Sequence, residues 1–194
     1  MNDKPGQQLL LSFPFHPEYN FSNFVVSEGS RIAFETAKEF CSENPAPYQA
    51  LYIFGQKNLG KTHLLLSIGN RVAERELRAV CIQGHDFVDK IGGNPSPEAQ
   101  QTLEQLLNVD FFLMDNVESL ANSPTAQEKL YHIYNQMMEK GGKLAFTANL
   151  PPDRNSAMES YLTSRFQWGM VAEIKPIDDS TTAKIILKLA KDIN

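Results

Sequence analysis

Residues Leu51 to Asn70 read LYIFGQKNLGKTHLLLSIGN and carry a complete G-x-x-x-x-G-K-[ST] pattern at Gly55, Gly60, Lys61 and Thr62. The flanks match what that pattern needs. An apolar strand, Leu51 to Phe54, feeds the loop, and an amphipathic helix with Leu64, Leu65, Leu66 and Ile68 leaves it. Glycines let backbone N–H groups turn inward on a polyphosphate, and the N-terminus of the following helix adds partial positive charge. Lys61 would reach the β- and γ-phosphates, and Thr62 would hold Mg²⁺. The expected nucleotide contacts run through Gly55, Gln56, Lys57, Asn58, Leu59, Gly60, Lys61, Thr62 and His63. Hydrolysis is a separate question from binding.

Composition sets the bounds around this loop. The chain has 194 residues, enough for one α/β domain with a substantial core. A formal charge of −5 and a pI near 5.4 argue against a surface built as a whole for nucleic acid. Cys41 and Cys81 stand alone, and the four histidines are scattered, so neither a disulfide framework nor a metal-ligand spacing is present. No apolar run reaches the length of a membrane span, and LLLSFPF (residues 9–15) is too short for a secretory signal. The default expectation is a cytoplasmic protein.

Working outward from the loop, residues 1–20 read as an N-terminal tail and residues 21–194 as the phosphate-loop domain. The apolar cluster Leu9 to Phe15 has two readings: an edge strand folding back on the domain, or a partner-binding peptide. Gln8, Leu11 and Phe13 stand in a Q-x-x-L-x-F spacing. It resembles the short motif that docks bacterial replication proteins on the sliding clamp, an extended peptide seating one polar and two apolar side chains in pockets. Phe21 to Val26 is apolar and strand-like or extended, and Ser27 to Ser30 offer an N-cap for a helix from Arg31 to about Ser42. A strand at Ala79 to Gln83 completes a βαβ unit with the loop. Helices are expected at Asp86 to Ile91 and Glu98 to Leu107.

Val109 to Asp115 (VDFFLMD) is nearly all apolar and ends in a carboxylate, as a buried central strand of a parallel sheet would. Strand carboxyl ends face the ligand crevice in such sheets, so Asp115 is the second candidate metal ligand, acting through water. A long helix at Pro124 to Lys140, a strand at Lys143 to Thr147, a helix at Asn155 to Phe166, a strand at Met170 to Ile174 and a closing helix at Ser180 to Lys191 follow.

Six stretches in order, FSNFVV, LYIFGQKNLGKTHLLLSIGN, VDFFLMDNVESL, LAFTANLPP, YLTSRFQWGM and EIKPIDD, resemble the AAA+ domain of the bacterial DnaA and Hda family. The resemblance implies a three-layer αβα fold with a central five-stranded parallel sheet. It gives Gly55 to Thr62 the Walker A role, Asp115 the Walker B metal role, and Asn149 the sensor 1 position near the γ-phosphate or attacking water. Arg165 matches the arginine finger, which acts on nucleotide held by a neighbouring subunit, either the initiator or a second copy through self-association. Phe24, Val25 and Val26 fall where such proteins pack the adenine base.

Departures from the initiator's pattern decide which branch the chain resembles. The initiator carries two acids at the end of the Walker B strand, whereas this chain reads Asp115-Asn116, as Hda-like proteins do. An amide is no base toward water, so weak or absent intrinsic hydrolysis is expected; Glu118, two residues further on, is expected to face away. PEAQQTLEQLLNVD (residues 97–110) contains no Lys or Arg, so direct DNA binding is not expected there. Neither a C-terminal helix-turn-helix nor the helical lid is expected within these residues. The reading that results is an Hda-like regulator that holds ATP or ADP with Mg²⁺, docks on the sliding clamp and promotes hydrolysis on the ATP-bound initiator. The alternative is an initiator-like or helicase-loader-like ATPase.

Overall fold

The computed structural model describes residues 11–12, 18–44, 46–93, 96–176 and 182–183. Six strands form one sheet: β1 (Leu11–Ser12), β2 (Ala50–Gly55), β3 (Ala79–Gln83), β4 (Phe111–Asp115), β5 (Lys143–Ala148) and β6 (Met170–Ile174). The helices are α1 (Arg31–Phe40), α2 (Lys61–Ala73), α3 (Gly84–Ile91), α4 (Pro97–Leu107), α5 (Pro124–Glu139) and α6 (Ser160–Trp168). The strand order is β1-β3-β4-β5-β2-β6, with β2 to β6 all parallel and β1 antiparallel on the outer edge of β3.

Strand periodicity builds the two faces. Tyr52, Phe112, Met114 and Phe146 point into one apolar cluster, with residues of α3, α4, α5 and α6. Leu51, Ile53, Phe111, Leu113 and Ala145 point into the other, with residues of α1 and α2. Every residue of β4 is buried, which is why the run FFLMD shows no polar alternation. Cys41 and Cys81 are free thiols inside the second cluster, and burial pushes the Cys41 thiol up to about 12.

The helix α1 begins at Arg31, where Ser27 to Ser30 signal it, but the Ser30 hydroxyl turns back to accept from Ser27 N (2.9 Å) and caps no helix N–H, whereas α4 and α5 carry side-chain caps. Ser96 and Ser123 each precede a proline at the first helical position, and their hydroxyls accept from Ala99 N and Ala126 N. At the end of the sheet opposite the phosphate loop, cations answer helix C-terminal carbonyls. Arg75 donates to Cys41 O and Ser42 O (2.8 Å each), Lys143 to Phe40 O (2.9 Å), and Lys140 to Leu107 O.

Three expectations need correction. Phe21 to Val26 is no strand: Asn20 Oδ1 accepts from Asn23 N at 2.9 Å, an Asx turn that bends residues 21–23 before irregular chain leads to Ser27. The helix expected from Asn155 begins only at Ser160, after a 3₁₀ turn at Pro152–Arg154. Its late start has a long-range cause. The buried amide of Gln127, on α5, accepts from Glu159 N (2.7 Å) and donates to Ala157 O (3.3 Å), so residues 157–159 are held in a turn. Glu118, expected to face away, does not, as shown below. Gln8, Phe13 and most of the helix expected at Ser180 to Lys191 lie outside the described residues, while the backbone of Leu11 pairs with Cys81.

Candidate nucleotide site

The carboxyl ends of β2, β4 and β5 converge beside the N-terminus of α2, around an open cavity of about 700 Å³. Lys57, Asn58, Gly60, Lys61 and Thr62 line it from the loop, and Asn149 closes it from the end of β5. Gly60 has φ +93° and serves as N-cap of α2. A Cβ there would stand 2.7 Å from the ring of Phe24, so only glycine permits both the turn and that close approach.

Lys61 is buried, and its ammonium donates to Gly55 O (2.7 Å), Gln56 O (2.7 Å) and Asn149 Oδ1 (3.2 Å). Burial pulls its proton affinity down, and the carboxylates of Glu118 and Asp115 oppose that pull. Asp115, also buried, is saturated with donors: Thr62 Oγ1 (2.8 Å) and Gln83 Nε2 (2.9 Å) on Oδ2, and the Thr147 hydroxyl on Oδ1. A buried carboxylate is tolerable only when hydrogen-bonded in this way.

The turn after β4 reorganises the expected roles. Asn116 is left-handed (φ 56°, ψ 55°), a conformation asparagine tolerates, and it reverses the chain into a 3₁₀ turn, Val117–Leu120. Gly84 makes room for it, because a Cβ at Gly84 would lie 2.3 Å from Asn116 O. Val117 and Leu120 are fully buried and anchor the turn, which leaves Glu118 and Ser119 on the cavity side. The Asn116 amide donates to Gln83 Oε1 (3.1 Å), and so supports Asp115 through Gln83. Glu118 accepts from Asn149 Nδ2 through Oε1, while its Oε2 is buried without a protein donor. Burial raises the Glu118 carboxyl above its ordinary range, against the pull of its own backbone amide and the attraction of Lys61.

The remaining expected residues are distributed around this centre. Phe24 lies on Gly60 and stacks on Phe34 (centroids 5.6 Å). His63 packs edge-on against Tyr19 and Phe24, with Nε2 3.0 Å from Asn20 O, and so supports Phe24 from the side rather than lining the cavity. Leu59 packs against the core cluster that includes α2. Val26 is exposed, and neither it nor Val25 lines the cavity. Arg165 sits elsewhere, on α6. Its guanidinium is held between the rings of Trp168 (4.1 Å to the centroid) and Tyr131 (5.4 Å), its Nη2 is 3.4 Å from Tyr131 Oη, and its Nε is buried without a partner. Trp168 itself is 73% exposed.

Of the groups around the site, Gln83, Thr147 and Ser119 are given no site role in the sequence reading, and Glu118 enters it only as a residue facing away. Gln83 and Thr147 carried a usable signal, since each is a polar residue at or near the carboxyl end of a strand.

Residues 15–173 match the family described as the bacterial DnaA ATPase domain. The chain belongs to that family. The chromosomal replication initiator protein DnaA of Thermotoga petrophila is 34% identical over 189 residues, covering 94% of this chain and 42% of the initiator. This DnaA-type domain thus spans about two fifths of the length of such relatives. A replication initiator DnaA bound to AMPPCP and single-stranded DNA superposes with a TM-score of 0.81 at 28% identity, over 91% of this chain and 56% of the other. The DnaC helicase loader shares the fold alone, with a TM-score of 0.67 at 17% identity, over 82% of this chain and all of the loader chain. No helix among the described residues is long and apolar enough to cross a membrane.

Proposed function

We propose that this DnaA-type domain is an Hda-like regulator of replication initiation, which holds adenine nucleotide at Gly55–Thr62 and acts outward through Arg165 on the nucleotide of the ATP-bound initiator. The observation that carries the reading is the placement of Arg165. Its guanidinium takes no part in lining the domain's own phosphate-loop cavity, and two aromatic rings hold it beside the exposed indole of Trp168. A cation prepositioned in this way is suited to charge that develops on a neighbour's transferring phosphoryl group.

On the domain's own side, Lys61 exchanges its bonds to the Gly55 and Gln56 carbonyls for phosphate oxygens, and the loop amides and the N-terminus of α2 receive the rest of the charge. Thr62 Oγ1, whose hydrogen goes to Asp115 Oδ2 at 2.8 Å, is an oxygen ligand suited to a hard cation, with Asp115 acting on it through water. Mg²⁺ bound there would neutralise phosphate charge. The peptide spanning Gln8, Leu11 and Phe13 supplies the proposed contact with the sliding clamp.

The test is a reconstituted reaction of ATP-bound initiator, DNA-loaded clamp and this protein. Arg165→Ala is expected to bind nucleotide normally but lose stimulation of initiator hydrolysis, and equal stimulation by variant and wild type would remove the reading. Clamp retention should fall in Gln8→Ala/Phe13→Ala. The rival reading, an initiator-like or helicase-loader-like ATPase acting by itself, predicts turnover that Lys61→Ala abolishes and no stimulation of the initiator by wild type.

A further inference from the structure

Glu118 is the one carboxylate among the described side chains that line the phosphate-loop cavity. Asp115 lies behind Thr62 with both oxygens occupied, and Asn116 spends its amide on Gln83. Glu118, by contrast, is tied into the cavity by one oxygen only. Asn149 Nδ2 donates to Oε1, and Asn149 Oδ1 accepts from Lys61, so one asparagine fixes the carboxylate relative to the ammonium that meets the β- and γ-phosphates. The other oxygen, Oε2, is shielded from solvent and has no protein donor. A buried acceptor without a donor is costly, and a turn of the carboxylate about its terminal torsion, toward the cavity that Glu118 lines, would give it an O–H delivered with the ligand. Val117 and Leu120, both fully buried, anchor the backbone of the turn that presents the carboxylate.

We propose that Glu118 is the catalytic carboxylate of this site and replaces the acid that Asn116 cannot supply. Water oxygen bonds to the γ-phosphorus of ATP while Glu118 takes one of its protons. The bond from that phosphorus to the β–γ bridging oxygen breaks, its electron pair stays on ADP, and inorganic phosphate leaves with the proton that Glu118 returns. Asn149 positions the carboxylate through its amide. A carboxyl lifted above its ordinary range by burial is a better base than a solvated one once ionised. The domain then resets its own nucleotide to ADP, and its ATP-bound period is set from within.

This inference rests on the loop being an ATP site, and the experiment separates the two. The full protein is titrated with fluorescent mant-ATP, then followed in single turnover with protein in excess over radiolabelled ATP, across pH 5.5 to 8.5. Glu118→Gln preserves the acceptor for Asn149. It is expected to bind mant-ATP within about threefold of wild type, to hydrolyse at least about a hundredfold more slowly, and to lose the acidic limb of the wild-type pH profile. Glu118→Asp should recover part of the rate and the limb. Wild type that does not bind mant-ATP removes the nucleotide reading and this inference with it. Binding without turnover in wild type, or turnover in Glu118→Gln within threefold of wild type, overturns the assignment of Glu118 alone.

Discussion

Gln127 is the buried link between the turn that carries Glu118 and the helix that carries Arg165, and replacing it by leucine measures that link. Its amide nitrogen donates to Leu120 O (3.0 Å), Ala121 O (3.3 Å) and Ala157 O (3.3 Å), and its oxygen accepts from Glu159 N (2.7 Å). Leucine fills the space and makes none of these bonds. Leu120 O keeps a partner in Ser123 N, so its loss is small. Glu159 N–H loses the shortest bond of the set, at the residue that caps α6 and whose carbonyl receives Leu162 N and Thr163 N. Stranding that donor costs about 1–3 kcal/mol, and the two longer carbonyl bonds add about 1 kcal/mol between them. The expected total of about 2–4 kcal/mol corresponds to a Tm lower by roughly 4–16 °C for a chain of this size. The Gln127→Glu change keeps the bond from Glu159 N but turns a carboxylate toward three carbonyls, so it should be the worse variant at pH 7.5 and improve at pH 5.5. Differential scanning fluorimetry and urea unfolding read both. A Tm within 2 °C of wild type for Gln127→Leu would refute the reasoning.

Two further outcomes follow from the site. Gly60→Ala meets a left-handed backbone at φ +93° and the Phe24 ring 2.7 Å from the new Cβ; a loss of about 1–2 kcal/mol from the backbone alone is expected, with weaker mant-ATP binding, and an unchanged Tm would contradict it. Glu118 has its carboxyl raised above the ordinary value of 4.5, chiefly by burial, so its contribution to stability is full below that value and is lost as pH rises through the raised one. Glu118→Gln should therefore melt above wild type at pH 7.5, with the gap closing toward pH 5, and a variant that melts below wild type at pH 7.5 would count against that assignment.

Local chemistry made the strands and the phosphate loop readable. FFLMD is apolar throughout because β4 is covered on both faces, and the loop's glycines and lysine sit next to one another in sequence. What escaped reading depends on residues far apart or on a change of period. Glu118 was counted along an extended chain, but Asn116 turns left-handed and converts the count to a 3₁₀ turn, with Val117 and Leu120 inward and Glu118 toward the cavity. An asparagine followed by apolar residues three apart was the available clue. The start of α6 depends on Gln127, 32 residues away from Glu159, and no local propensity carries that. His63 stands beside Thr62 in sequence, yet one step along a helix turns its side chain to Tyr19 and Phe24 instead of the phosphates.

Leu11 and Ser12 form the outermost ladder of the sheet, and they fall inside the Q-x-x-L-x-F spacing. An extended peptide has only one set of backbone groups to give. Seated in a partner's groove, it leaves the outer edge of β3 bare; kept on β3, it is withheld from the partner. If the proposed partner takes this peptide, its groove competes with β3, and the apparent dissociation constant is then the intrinsic one divided by the fraction of time the strand is released. A preference of about 1.4 kcal/mol for the domain's own edge weakens capture about tenfold. On the proposed docking, anything that loosens β3 would strengthen capture, so the fold would meter the grip of its own tail.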